Sequence, residues 1–190
     1  MGKRSRFNLN LYPAIFFDRD GVLTVPINLN GKGYAPRSLE ELKFYGDASE
    51  CLLRTRAAGF KNIVVSNQPD VSNQLLQESV LEDMNNKLLQ ILAIDEVNNC
   101  PHDSRDNCFC RKPKPGMIES AARRLNLDLS NSWMVGDRDG DITAGSSAGV
   151  RTIFIDRDWL EESGSLAEFR CMSLTEAVGL ILRHSKFKTG

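Results

Sequence analysis

Three short, largely apolar runs in this chain each stop at polar, chemistry-bearing residues, and that pattern restricts the fold more than any other feature. Residues 14–17 (Ala-Ile-Phe-Phe) run into Asp18-Arg-Asp-Gly21, residues 60–65 into Ser66-Asn-Gln68, and residues 133–135 into Gly136-Asp137. Runs of this length and composition suit strands buried on both faces. Helical signals separate them. Asp47 is placed to N-cap a helix through Leu52 and Leu53 that stops at Gly59. Leu75, Leu76, Val80, Leu81, Met84, Leu88 and Leu89 keep a helical period. Pro115 suits a helix start, continued by 117–125. A small-residue helix is expected over 141–149 and a closing one over 174–182, with further strands at 94–98 and 151–155. Residues 22–33 show no helical period and predict a loop; 35–44 allow one short helical turn at Ser38-Leu-Glu-Glu-Leu42. Strands alternating with helices predict an α/β fold: an open parallel sheet flanked by helices, with right-handed crossovers. Ligands bind such sheets at the carboxyl ends of the strands, where all three polar clusters fall.

At 190 residues the chain predicts one domain over 12–185, with an N-terminal extension at 1–11 and a tail at 186–190. A formal charge of −1 gives no global attraction to nucleic acid or membrane, so any anion binding must be local. No apolar run reaches the ~18 residues of a membrane span. The basic start precedes too short an apolar run for a secretory signal, and Arg6 does not fit a myristoylation site at Gly2. A cytoplasmic monomer is expected.

Five cysteines are present, three of them within 100–110. An odd, crowded set points to metal binding in a reducing compartment and not to a disulfide framework. Cys100-Pro-His102 and Cys108-Phe-Cys110 offer three thiolates and one imidazole, which suit tetrahedral Zn²⁺ with no open position. Such a metal staples a polar loop that has no core of its own. Cys51 and Cys171 predict ordinary buried thiols.

Asp18 and Asp20, two residues apart on extended chain, point to the same side and can face one reaction centre. Their repulsion calls for a divalent cation or a shared proton. A strand ending in a solvated acidic turn would read the same, and the other strand ends decide between the two. Asp-x-Asp-Gly, the later strand-end Ser66, Lys112 before a helix and Gly136-Asp-x-x-x-Asp141 together resemble the haloacid dehalogenase superfamily, in the same order along the chain. The resemblance implies a Rossmann-like fold and a Mg²⁺-dependent phosphatase. It makes Asp18 the nucleophile that forms an aspartyl-phosphate and Asp20 the general acid and base. Ser66 and Lys112 would hold the phosphoryl oxygens, with Mg²⁺ on Asp18, the Asp20 carbonyl and Asp137, and Asp141 in support. Only 45 residues separate Asp20 from Ser66, too few for a large cap domain.

The run Cys110-Arg-Lys-Pro-Lys-Pro-Gly-Met117, with the zinc ligands, Gly33-Tyr34 and Met134-Val-Gly-Asp137, is similar to the zinc-stapled heptose-bisphosphate and histidinol-phosphate phosphatases of that superfamily, and more to the former. Carried across, Gly33 and Tyr34 line the substrate site, Asn67 and Gln68 join Ser66 at the phosphate, and Arg111 and Arg138 contact the substrate. The implied partner is a small phosphorylated sugar, in heptose metabolism, without nucleic acid or membrane. Histidinol phosphate and a polynucleotide 3′-phosphate are alternatives, as is a non-enzymatic zinc-stabilised binding protein. The loop Pro69-Asp-Val-Ser-Asn-Gln74 departs from the family, which has small residues and an Arg there.

Overall fold

The computed structural model describes residues 11–158 and 163–185. The expected tail and all but the last residue of the expected N-terminal extension lie outside these. In chain order the strands and α-helices are β1 (Ala14–Phe17), β2 (Ile27–Leu29), β3 (Lys32–Tyr34), α1 (Ala48–Ala57), β4 (Lys61–Asn67), α2 (Glu78–Ile91) and β5 (Glu96–Cys100). Then come α3 (Gly116–Leu125), β6 (Trp133–Gly136), α4 (Asp139–Ser147), β7 (Arg151–Ile155), β8 (Phe169–Cys171) and α5 (Leu174–His184). Six strands form one parallel sheet in the order β5-β4-β1-β6-β7-β8.

β1 lies inside the sheet and is fully buried, and its period-two alternation divides the core. Ile15 and Phe17 join Leu52, Met84, Leu88, Val178 and Ile181 on one face. Ala14 and Phe16 join Met117, Ile118, Ala121 and Ala144 on the other. Helices thus cover both faces, as an all-parallel sheet requires. No helix among the described residues is long and apolar enough to cross a membrane.

Beyond shifts of a few residues at element ends, with Leu75 and Leu76 lying before α2, the structure departs from the sequence expectations in four places. Residues 27–34 are not a loop but a two-stranded antiparallel hairpin, β2 with β3, that stands apart from the main sheet. Residues 38–41 turn without forming a helix. β8 was not expected; three residues paired to β7 complete the sheet edge. Asp47 precedes α1 but makes no side-chain cap, because its backbone is already helical at φ −91° and ψ −7°. Its carboxylate instead accepts from the Thr175 amide at 3.1 Å and hydroxyl at 2.9 Å, tying α1 to α5.

Candidate active site and metal centre

The carboxyl ends of β1, β4 and β6 converge, as strands side by side in a parallel sheet must. The backbone turns directly after β1: the amides of Leu23 and Thr24 both donate to the Arg19 carbonyl at 2.9 Å. Gly21 makes this possible in two ways. Its φ of +98° is left-handed territory, and a Cβ there would overlap the Asp137 carboxylate. Gly136 is required for a similar reason, since a Cβ would overlap Asp141.

Asp18 is 7% exposed, and its Oδ1 accepts from the Arg19 amide and from Lys112 Nζ, both at 2.8 Å. Burial pushes its carboxyl up to about 6; Lys112 opposes that, while Asp141 and Asp20 add to it. Lys112 reaches in from the loop before α3. Its ammonium meets Asp18, Asp141 Oδ1 at 2.6 Å and the Val65 carbonyl at 2.7 Å. Three donors are thereby matched to three acceptors. Burial alone would lower this lysine, but Asp141 and Asp18 outweigh it and hold its pKa well above the usual range.

Asp137 is fully buried beside Asp18 and Asp141. Carboxylate oxygens of Asp18, Asp137 and Asp141 all lie within 4.8 Å of one another. Two unit charges at that separation repel by about 3 kcal/mol at an effective dielectric of 20. Three carboxylates against one ammonium leave a surplus of negative charge in a dry site. A hard divalent cation with oxygen ligands fits that donor set.

Asp20 is gripped by other side chains. Its oxygens accept from Arg19 Nε and Nη2, from Thr24 Oγ1 at 2.8 Å and from Gln68 Nε2 at 2.8 Å. Gln68 Nε2 also donates to Ser66 Oγ at 2.8 Å. Asn67 holds the Lys112 backbone from both sides: Nδ2 donates to its carbonyl at 3.0 Å, and Oδ1 accepts from its amide at 3.1 Å. These residues open into a cavity of about 450 Å³. Gly33, Tyr34 and Ala35 wall it from the hairpin side, opposite Arg111, Arg138 and Gly140. Arg138 Nη2 ties the two walls by donating to the Gly33 carbonyl at 2.7 Å.

All the residues expected in catalysis and substrate contact line this cavity, with Asp141; Asp137 is buried and not part of its lining. Arg19 and Thr24 were missed, because an arginine between two acids reads as a solvated charge until its burial is known. Pro69 and Asp70 also line the cavity. The cations Arg37, Lys114 and Lys32 do not. Arg37 Nε pairs with Asp70 at 2.7 Å, Lys114 Nζ binds the carbonyls of Asn107 and Cys108, and Lys32 begins β3 of the hairpin.

The second cluster lies just beyond β5. Cys100 Sγ is 3.6 Å from Cys108 Sγ, 3.1 Å from Cys110 Sγ and 3.5 Å from His102 Nδ1. Cys110 Sγ is 3.4 Å from Cys108 Sγ and 3.3 Å from His102 Nδ1. Zn–S bonds of ~2.3 Å at tetrahedral angles put sulfurs roughly 3.8 Å apart, so the four atoms fit one such ion. Asp103 and Asp106 cap a short turn in this loop and do not reach the cavity. Arg111 Nη1 donates to the His102 carbonyl at 3.0 Å, linking the cluster to the cavity wall.

The HAD-hydrolase-like family model matches residues 109–165. The chain is 31% identical over 155 residues to the D-glycero-beta-D-manno-heptose-1,7-bisphosphate 7-phosphatase of Helicobacter pylori, covering 75% of this chain and 83% of that protein. It is 34% identical over 169 residues to the histidine biosynthesis bifunctional protein HisB of Campylobacter jejuni, covering 84% of this chain but 46% of that protein. Among solved structures, D,D-heptose 1,7-bisphosphate phosphatase from B. bronchiseptica, complexed with magnesium and phosphate, superposes with a TM-score of 0.77. That pair shares 26% identity over 91% of this chain and 99% of the other.

Proposed function

This chain belongs to the haloacid dehalogenase superfamily and is a phosphoric monoester hydrolase; we propose that it removes the 7-phosphate of D-glycero-D-manno-heptose 1,7-bisphosphate. The observation that carries the substrate is the charge of the cavity wall. Beyond Lys112, the lining cations are Arg111 and Arg138, while the lining acid Asp70 is already neutralised by Arg37. A sugar bisphosphate brings a second anion, which an arginine can bind in bidentate fashion. Histidinol phosphate brings an ammonium group and would need an acid without a partner there.

In the proposed reaction an Asp18 carboxylate oxygen attacks phosphorus. The new P–O bond forms as the bond to the leaving oxygen breaks, and Asp20 supplies the proton that oxygen takes up. Water then attacks the aspartyl-phosphate and gives a proton back to Asp20, inorganic phosphate departs, and Asp18 is restored. Lys112 and Ser66 stabilise the transferring oxygens. Asp18, Asp137 and the Asp20 carbonyl would hold Mg²⁺, which would supply charge neutralisation at the phosphoryl group. Asp141 keeps Lys112 in place. Cys100, His102, Cys108 and Cys110 would hold a Zn²⁺ of structural role.

Phosphate release from heptose bisphosphates, histidinol phosphate and a 3′-phosphorylated oligonucleotide tests the substrate. The heptose bisphosphate should show the highest kcat/KM. Arg111→Ala should cost it about 1.5–3 kcal/mol, as for a hydrogen bond to a charged group, and cost a simple monophosphate ester less. Preference for histidinol phosphate would overturn the assignment.

Metal removal gives a second test. EDTA should stop turnover, and added Mg²⁺ should restore it. Asp18 must be ionised to bind metal, and its carboxyl is raised to about 6, so protons compete with Mg²⁺ below that pH. Apparent Mg²⁺ affinity, followed by calorimetry, should therefore fall about tenfold per pH unit under 6 and level off above it. An affinity flat from pH 5 to 8 would remove Asp18 from the ligand set.

A further inference from the structure

Arg19 is the most deeply buried cation in the site, with a side chain that is 0% exposed. A buried guanidinium is costly unless its donors are met. Here its Nε lies 3.0 Å from Asp20 Oδ1 and 3.1 Å from Oδ2, and its Nη2 lies 2.8 Å from Oδ2. Its Nη1 rests against the Met84 sulfur at 4.0 Å. Ion pairs that stabilise a fold join distant segments, as Lys112 and Asp18 do across 94 positions. Arg19 and Asp20 are neighbours in sequence, so their pairing closes no loop. What it does fix is the direction of one carboxylate.

The neighbouring donors complete that effect. Thr24 Oγ1 meets Asp20 Oδ1, and Gln68 Nε2 meets Oδ2. Thr24 Oγ1 lies within 3.1 Å of the Arg19 carbonyl as well, so its single proton can serve either oxygen. When it serves the carbonyl, the hydroxyl can accept from a protonated Asp20. Thr24 is thus the one partner of Asp20 among these that can switch between donating and accepting. Asp20 remains 14% exposed and lines the cavity beside Asp18, whose Oδ1 takes the Arg19 amide.

We propose that Arg19 is the positioning residue for Asp20: its guanidinium, out of reach of any substrate, sets the aim of the acid at the leaving oxygen. The proposal rests on the acid–base role given to Asp20 above. Its signature is dependence on the leaving group. Loss of aim should matter most where the departing oxygen needs its proton, and little where it leaves as a stable anion.

Arg19→Met and Arg19→Lys would be assayed at one pH with saturating Mg²⁺ on p-nitrophenyl phosphate and on an alkyl sugar monophosphate. Arg19→Met should lose about tenfold or more in kcat/KM, which reports the step that expels the leaving group, on the alkyl ester beyond its loss on the aryl ester, a share of the ~10²–10⁴ that acid–base help supplies. Arg19→Lys should recover part of that loss. In an Asp20→Asn background, adding Arg19→Met should not change the alkyl-to-aryl ratio further. Equal losses on both esters, or a further change without Asp20, would overturn the proposal. If Arg19→Met does not fold, Thr24→Val and Gln68→Met weaken the same grip, and an unchanged ratio in both would overturn it equally. Failure of Asp20→Asn itself to discriminate the esters would instead strike the acid role, and the proposal with it.

Discussion

Asp18→Asn should leave a folded protein with turnover reduced by about 10⁴-fold or more, the scale on which enzymes lose rate when a nucleophile is removed. The fold should survive because the amide keeps the shape and still offers an oxygen to the Arg19 amide and to Lys112. Lys112 also keeps its second anionic partner, Asp141. Burial disfavours the charged form of Asp18, so neutralising it relieves a cost. The melting temperature should therefore hold or rise while activity disappears. Calorimetry and initial rates on one preparation test both halves. Near-normal activity in cleanly purified Asp18→Asn would rule out a covalent aspartyl intermediate.

Local chemistry was legible in the sequence wherever it depended on backbone period. Asp18 and Asp20 could be placed together because extended chain repeats every two residues, and β1, β6 and β7 because their residues are almost wholly buried. The hairpin was not legible. Ile27–Leu29 and Lys32–Tyr34 are exposed or half-buried throughout, so no apolar alternation marks them. β8 failed for the same reason, with one buried residue in three. Charge partners were the other blind spot. Arg37 finds Asp70 from 33 positions away and Lys114 finds Asn107 from seven, so which cations face the cavity was decided by the fold. Gln68 was expected at the phosphate, yet its amide is fully buried and turned onto Asp20 and Ser66. Such an outcome follows from the return of β4 beside β1, which no local pattern encodes.

Cys110→Ser should destabilise this protein strongly. Cys110 Sγ lies within 3.1–3.4 Å of the other three candidate ligand atoms, so its loss opens the four-residue cluster proposed to hold zinc. Polar contacts from Lys114 and Arg111 and the Asp103 cap also hold the loop it closes, but apolar packing there is slight. Cys108 and Cys110 only edge the core, and Phe109 is 59% exposed. Structural zinc contributes about 10–16 kcal/mol of apparent binding energy in small zinc-folded peptides, and that binding is folding free energy. Even a loss of a few kcal/mol should lower the melting temperature by roughly 10 °C, at about 2–4 °C per kcal/mol for a chain of this size. The damage should reach the cavity, because Arg111 hangs from the His102 carbonyl and Lys112 is the next residue along. At a temperature where the variant is folded, with Mg²⁺ saturating, KM should rise more than kcat falls. Asp18→Asn, which leaves the cluster alone, should keep its full metal content by elemental analysis. Wild-type protein purified without chelator that contained no zinc, and melted where Cys110→Ser does, would show that the four ligands are only thiols packed against an imidazole.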